Sequence, residues 1–500
     1  MVRVTPFVSA ALLSLAAIEV VIAKSQKHFK DLSGFQDTCT QIAEAIRFSN
    51  DSALYYSPSS QYHLDNAHWS ESSTAQSACS VEPGTPQDVG KILRIIGVTR
   101  TPFAVKGGGH ATNPGFSSTI GVQISMTRFN KVIVKREAST VEVGAGLTWD
   151  DVYQALDGTG LNVVGGRVSG VGVAGFTLGG GYSWKTNQYG LTIDNVESYE
   201  LVLPDGTIQI VTSQNEDLWF GLRGGFNNFG IVTKFVLKAH PQGDVWGGLV
   251  IISSSSRHVH KVKAAILKFQ QEVTDPKAML LPTYNSVRNI PSIEVLMFYD
   301  GPEKPAGIFD DFLTMVEIRV IETSASFLEF LKILPSSDPF AGKRAYFSTV
   351  SVLQYSAPLL DVLANETLFW GKKLSKLDSR GAVSYDMEPF DPGLFNHSNI
   401  PSAYPPDRSR ALFPTNIYFA WSSPSKDADV ATALWQSTNT IRAAAIAQGQ
   451  NIDDVAVYGN YALIGTPVES LYGANLPRLR SIQNRVDPHK VMALAGGFKF

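Results

Sequence analysis

The sequence predicts an α+β protein of two domains, and three observations carry that reading. The chain has 500 residues, more than one hydrophobic core usually organises. Its apolar positions fall in short alternating runs separated by turn residues, not in regular strand–helix–strand units. Glycine is uneven: 23 of the 42 lie between Gly107 and Gly230, and beyond about residue 243 longer strand-like and helical runs take over.

Composition narrows the class. Hydrophobic and charged fractions of 44% and 17% fit a globular protein, and a net charge of -3 gives no electrostatic case for nucleic acid. Apart from the N-terminus, no apolar stretch is long enough to span a membrane. Residues 1–23 read as an export signal: Arg3 precedes the apolar run Phe7 to Ile18, and Val21 and Ala23 are small residues at cleavage positions. The expected location is therefore the secretory pathway or the exterior. The 2 cysteines, Cys39 and Cys79, would pair in an oxidising compartment, and that closure is worth roughly 4 kcal/mol in the chain-entropy account. Glycosylation triplets stand at Asn50, Asn365 and Asn396.

The elements follow in order. The run 102–115, "PFAVKGGGHATNPG", is a strand that ends in three glycines and a histidine. Residues 131–146 alternate in two runs and predict a strand pair. Residues 148–160 predict a helix, with Thr148 as cap, acidic residues in the first turn and Gly158 near its end. Residues 198–212 are a hairpin pattern around Pro204-Asp205-Gly206, and 229–240 is another strand. In the middle region, 292–300 and 416–423 are strands, while 260–273 and 427–448 are helices. An amphipathic helix is expected at Leu476 to Val486. His258 and His260 are read as surface residues, and Asp453-Asp454 as a solvated loop pair.

Motifs for several chemistries are missing. There is no H-E-x-x-H, no C-x-x-C and no G-x-S-x-G, so no metal site is expected and no serine nucleophile is announced. Three glycine-rich segments stand out instead: "KGGGH" (106–110), "GGRVSGVGVAGFTLGGGYSW" (165–184) and "RGGFNNFGIVT" (223–233). Any one of them could be a tight turn. Together they suggest backbone loops converging on a ligand with phosphates and an extended planar part. "GVGVAG" (170–175) matches G-x-G-x-x-G, but the glycine-rich continuation and the missing strand–turn–helix context argue against a Rossmann unit.

These segments, with "VEVGAGLTWDDVY", "YGLTIDNVESYELVLPDG", "DLWFGLRGG", "NFGIVT" and the terminal "NYAL…LYGANLPRLRSIQNRVDP", resemble the berberine-bridge-enzyme-like proteins of the vanillyl-alcohol-oxidase (p-cresol-methylhydroxylase) flavoprotein superfamily. The resemblance covers roughly 80–240 and 456–500; the middle fits by position and alternation alone. It implies a two-lobed FAD-binding (PCMH-type) domain over 24–242, a substrate domain over 243–455 with a β-sheet backed by helices, and a segment 456–500 that returns to the first domain. By the same resemblance His110 carries the flavin 8α-methyl covalently, with Lys106, Gly107, Gly108, Gly109 and Gly115 around it. Gly166, Val168, Val171, Gly172, Gly175, Gly179 and Gly180 would contact FAD from the second segment, Gly230, Ile231 and Val232 from the third, and Asn460 from the tail. Many relatives form a second bond through a cysteine where this chain has Val168, so a single link is expected. Val171 would gate oxygen, Tyr461 would be the catalytic base, and Tyr182 a neighbour that helps it.

The implied activity is hydride transfer from a small organic substrate, a secondary-metabolite intermediate, to FAD, with O2 as acceptor giving H2O2. A carbohydrate oxidase and a flavoprotein performing a non-redox cyclisation are the alternatives.

Overall fold

The computed structural model describes residues 33–315, 319–333 and 343–500; the expected signal at 1–23 lies outside them. Four short strands form the first sheet, β1 (Ala53–Tyr55), β2 (Cys79–Glu82), β3 (Phe103–Lys106) and β4 (Val122–Ser125), in the order β1-β2-β4-β3. β4 runs parallel to both β2 and β3. Cys39 and Cys79 are joined, tying the helix Gln36–Ile46 to β2 as the cysteine pair led one to expect.

The second sheet holds both hairpins read from the sequence. β5 (Val132–Lys135) pairs with β6 (Thr140–Gly144); after the short β7 (Leu161–Asn162), β8 (Val196–Val202) pairs with β9 (Ile208–Val211). β10 (Ile231–Lys238) runs between them, giving the order β5-β6-β10-β8-β9. The helix at 148–160 spans Trp149–Leu156: the Asp151 carboxylate accepts from both the Thr148 amide (2.9 Å) and its hydroxyl (2.7 Å), which fixes the first turn. A two-residue pair, β11 (His240–Pro241) against β7, leads out of this half.

The third sheet is the largest. β12 (Val245–Ser253), β13 (Ala278–Val287), β14 (Ile290–Tyr299), β15 (Arg319–Ala325), β16 (Arg344–Val352), β17 (Ala382–Asp386) and β18 (Phe413–Trp421) lie in the order β15-β12-β14-β13-β17-β18-β16. Its contacts within the sheet are all antiparallel. Helices Ser256–Glu272, Ala357–Leu377 and Asp427–Ala447 back one face, and the other face closes a cavity. This is the α+β architecture expected, with the sheet backed by helices.

One reading is corrected. The first of those helices starts at Ser256, earlier than the apolar pattern marked it, because the Ser255 hydroxyl accepts the His258 amide. His258 is thereby turned inward and buried, its Nδ1 3.1 Å from both the Ser253 carbonyl and hydroxyl; His260 stays exposed. Asp453 and Asp454 are exposed, paired with Arg442 and Arg410. Asn50, Asn365 and Asn396 are all exposed. Among the described residues no helix is long and apolar enough to cross a membrane.

Candidate functional site

A cavity of about 1070 Å³ runs between the glycine-rich half and the seven-stranded sheet. Two glycine segments meet backbone to backbone on its first wall. A Cβ on Gly108 would stand 2.5 Å from Gly172 Cα, and one on Gly172 would stand 2.5 Å from the Gly108 nitrogen. No side chain fits at either position. Gly109, at φ +73°, then turns the chain so that His110 faces the cavity.

His110 stacks on the Trp69 indole, with ring centres 4.3 Å apart and planes 13° from parallel. Burial pulls its pKa down to about 4, so the imidazole is neutral at ordinary pH, and its buried Nε2 has no partner among the described residues. Gly107, Gly108, Gly109, Val168, Val171, Gly172, Gly175, Gly230, Ile231, Val232, Asn460 and Tyr461 line the same cavity. The others expected there do not. Lys106 turns away and donates to the Leu64 carbonyl (2.7 Å). Gly166 abuts Trp149, and a Cβ on Gly179 would meet the Asn460 amide. Gly115 is exposed and Gly180 packs against Tyr404 and Tyr458, and neither lines the cavity.

The segment around residues 460–464 is fastened to both glycine segments. The Asn113 side chain donates to the Ala462 carbonyl (2.8 Å) and accepts the Ile464 amide (2.9 Å). Asn460 donates to the Phe176 carbonyl (3.1 Å) and the Tyr458 hydroxyl (2.8 Å).

Where the tail meets the sheet, three polar side chains form a buried group. Arg167 Nη2 donates to the Tyr461 hydroxyl at 2.8 Å, and that hydroxyl donates to Glu388 Oε1 at 3.0 Å. The same Nη2 stands 2.8 Å from Glu388 Oε2, an ion pair between side chains 6% and 1% exposed. That contact is close but poorly aligned, because Oε2 and Arg167 Nη1 each have no hydrogen-bond partner among the described residues. Burial raises the Glu388 pKa against the opposing pull of Arg167 and Tyr461. Burial and then the Glu388 charge hold the Tyr461 phenol well above its ordinary value. Burial works against the Arg167 charge, but Glu388 and Tyr461 outweigh it, so the guanidinium stays protonated.

Tyr461 is therefore a phenol whose proton points at a carboxylate. Tyr182 does not reach the cavity: its hydroxyl meets the Tyr404 hydroxyl (3.1 Å) and the Leu412 carbonyl (3.3 Å), and its ring lies against Tyr458. The partners that Tyr461 has are Arg167, to which the sequence reading gave no role, and Glu388. The available signal for Glu388 was alternation: Ser384, Asp386 and Glu388 recur at every second position in "AVSYDMEPF".

Residues 77–212 match a family profile described as an FAD binding domain. An FAD-dependent monooxygenase of Arthrobotrys oligospora is 30% identical over 368 residues, covering 71% of this chain and 68% of that one. The chain belongs to the FAD-linked oxidoreductases, and it has the fold of the berberine-bridge-enzyme-like proteins. FAD-dependent monooxygenase tpcD of Cochliobolus heterostrophus is 29% identical over 97% of this chain and 98% of its own length. An uncharacterized FAD-linked oxidoreductase of Arthroderma benhamiae is 38% identical, the match spanning 50% of this chain and 51% of the relative. Two solved structures share the fold: xylooligosaccharide oxidase of Myceliophthora thermophila (TM-score 0.75, 19% identity, 92% of this chain and 100% of that one) and a berberine bridge enzyme variant (0.74, 18%, 93% and 100%).

The residues present fit FAD. The Gly108–Gly172 contact admits backbone where side chains would intrude, and a neutral imidazole with an unpartnered ring nitrogen faces the space between the walls.

Proposed function

We propose that this FAD-linked oxidoreductase is an exported oxidase of a small organic substrate, a secondary-metabolite intermediate, holding FAD through a single covalent bond to His110. The observation that carries the redox reading is the buried Arg167–Tyr461–Glu388 group on the cavity that His110 faces. FAD, when bound, supplies the acceptor for the hydride that leaves the substrate C–H bond.

The chain's own residues handle the proton. The Tyr461 hydroxyl receives it from the substrate O–H or N–H as its own proton passes to Glu388 Oε1, 3.0 Å away. No free phenolate needs to be stored, which suits a phenol whose pKa burial holds high. Glu388 is the final acceptor, made more basic by burial, and Arg167 keeps both groups oriented. Val168 supports a single covalent bond, since valine offers no thiol. Val171, on the cavity wall, supports an oxygen path to the cofactor, with hydrogen peroxide as the second product. The N-terminal apolar run, the Cys39–Cys79 bond and three glycosylation triplets with exposed asparagines support export.

The relatives named as FAD-dependent monooxygenases favour a second reading, monooxygenation, in which one oxygen atom enters the product. One experiment separates these. Candidate substrates found by product formation should bleach the flavin when added anaerobically, and in a parallel turnover under ¹⁸O₂ should release peroxide and give product without label. Label in the product would establish monooxygenation; turnover with unchanged flavin would establish a non-redox cyclisation.

A further inference from the structure

The cavity face of the large sheet carries two transverse rows of polar side chains. Antiparallel pairing sets Ser292, Asn285, Ser384 and Tyr418 side by side across β14, β13, β17 and β18. The next row inward, toward Glu388, is Glu294, Thr283, Asp386 and Asn416, and all eight line the cavity. An apolar row, Ile290, Val287 and Ala382, separates them from the rim, where Arg288, Arg380 and Lys343 stand.

The inner row is short of positive charge. Glu388 is already matched by Arg167, but neither Glu294 nor Asp386 makes an ion pair among the described residues. Burial, reinforced by Asp386, pushes Glu294 up to about 7; burial, with Glu388 adding to it, pushes Asp386 up to about 6. A second observation is independent of charge. Asn416, 7% exposed and next to Asp386 in the row, has an amide oxygen with no hydrogen-bond partner among the described residues. An unfilled acceptor beside one of two carboxyls that lack an ion-pair partner, in a row with the other, calls for a group that donates hydrogen bonds and carries positive charge. The rim cations do not supply it. From Ile290 to Glu294 the strand rises about 14 Å, more than a Debye length at physiological salt, so their field is largely screened in a water-filled mouth.

We infer that the row Glu294–Thr283–Asp386–Asn416 is a subsite for a protonated nitrogen on the substrate, placed outward of the reacting group at Tyr461 and Glu388. The inference rests on the reading of this cavity as the substrate chamber of a flavoenzyme. A cation there favours both ionised carboxylates, so its binding releases protons near pH 6.5. Glu388 and Arg167 face Asp386 from the deep end, where Glu388 adds to the rise in its pKa and Arg167 opposes it.

The test uses the FAD-loaded protein and two probes of like shape, phenethylamine and uncharged 2-phenylethanol, titrated by flavin absorbance and by calorimetry in phosphate and PIPES at pH 6.5. The amine should bind about tenfold or more tightly than the alcohol, with buffer-dependent heats that report proton release. The Glu294→Gln/Asp386→Asn double variant should bring that ratio to about threefold or less at unchanged FAD content, with Glu294→Gln alone in between. Equal affinities for the two probes, or a preference that survives in the double variant, would overturn the subsite while leaving the flavoenzyme reading intact. Failure of the wild-type protein to take up FAD would overturn both.

Discussion

Replacing Glu294 with glutamine should stabilise the protein increasingly as pH rises from about 4.5 through 7. The side chain is held in the folded state with its pKa pushed from 4.5 to about 7 by burial, with Asp386 adding to the effect. A carboxyl whose folded pKa is raised binds its proton more tightly in the folded chain than in the unfolded one. Its contribution is neutral below pH 4.5 and becomes destabilising as pH climbs through the window from 4.5 to 7. At about 1.4 kcal/mol per unit the full penalty is roughly 3 kcal/mol, reached near pH 8. An unfolding entropy of about 2 cal/mol/K per residue over this chain converts that to a midpoint shift of about 3 °C. Thermal unfolding of wild type and Glu294→Gln at pH 5 and pH 8 should therefore show a variant of equal or slightly lower midpoint at pH 5 and a midpoint about 3 °C higher at pH 8. A difference between the two proteins that is the same at both pH values would refute the reasoning, because glutamine would then be acting through packing and not through the charge it removes.

The other predictions concern the cofactor and the proton path. His110→Ala should lose all acid-stable flavin while still binding FAD, and the flavin potential should fall; mass spectrometry of the peptide containing residue 110 checks this. Tyr461→Phe and Glu388→Gln should each slow anaerobic flavin reduction by about 10²–10⁴, in the range for loss of a general base, and stopped-flow traces at several pH values measure it. Glu388→Gln should also unfold more readily than Tyr461→Phe. It strands the Arg167 charge in the interior at a cost of about 3–5 kcal/mol, whereas the phenylalanine keeps the ion pair. Val171→Leu should slow flavin reoxidation by oxygen with little change in its reduction by substrate, measured by mixing reduced protein with aerated buffer.

Much of the fold was legible because the signals are local. The strand pair at 131–146, the hairpin at 198–212 and the helix Leu476–Val486 lie where alternation, turn residues and periodicity placed them. The glycines were legible for a similar reason: a backbone contact such as Gly108 to Gly172 forbids side chains at both positions and leaves a compositional trace. What stayed hidden was pairing between distant segments. Glu388 and Tyr461 are 73 residues apart and Arg167 and Tyr461 are 294 apart. Nothing in a glutamate that follows a strand, or an arginine inside a glycine run, says which partner it will meet. His258 failed in the opposite way, because a serine cap one turn upstream moved the start of its helix and so the direction in which it points.

The arrangement also separates two pH dependences that a single active-site base would merge. The proposed proton-moving group has its charge balanced internally: Arg167 opposes the burial that raises the Glu388 pKa, and Tyr461 is a neutral phenol. Glu294 and Asp386, with pKa values near 7 and 6, change their charges across the neutral range without belonging to the group. Affinity for a cationic substrate should then rise from pH 6 to 8 as the inner row ionises, while the rate of flavin reduction at saturating substrate stays nearly flat over the same interval. A rate at saturation that rises in step with affinity would place Glu294 or Asp386 in the proton path itself, and the division of labour between the row and the Tyr461 group would fall.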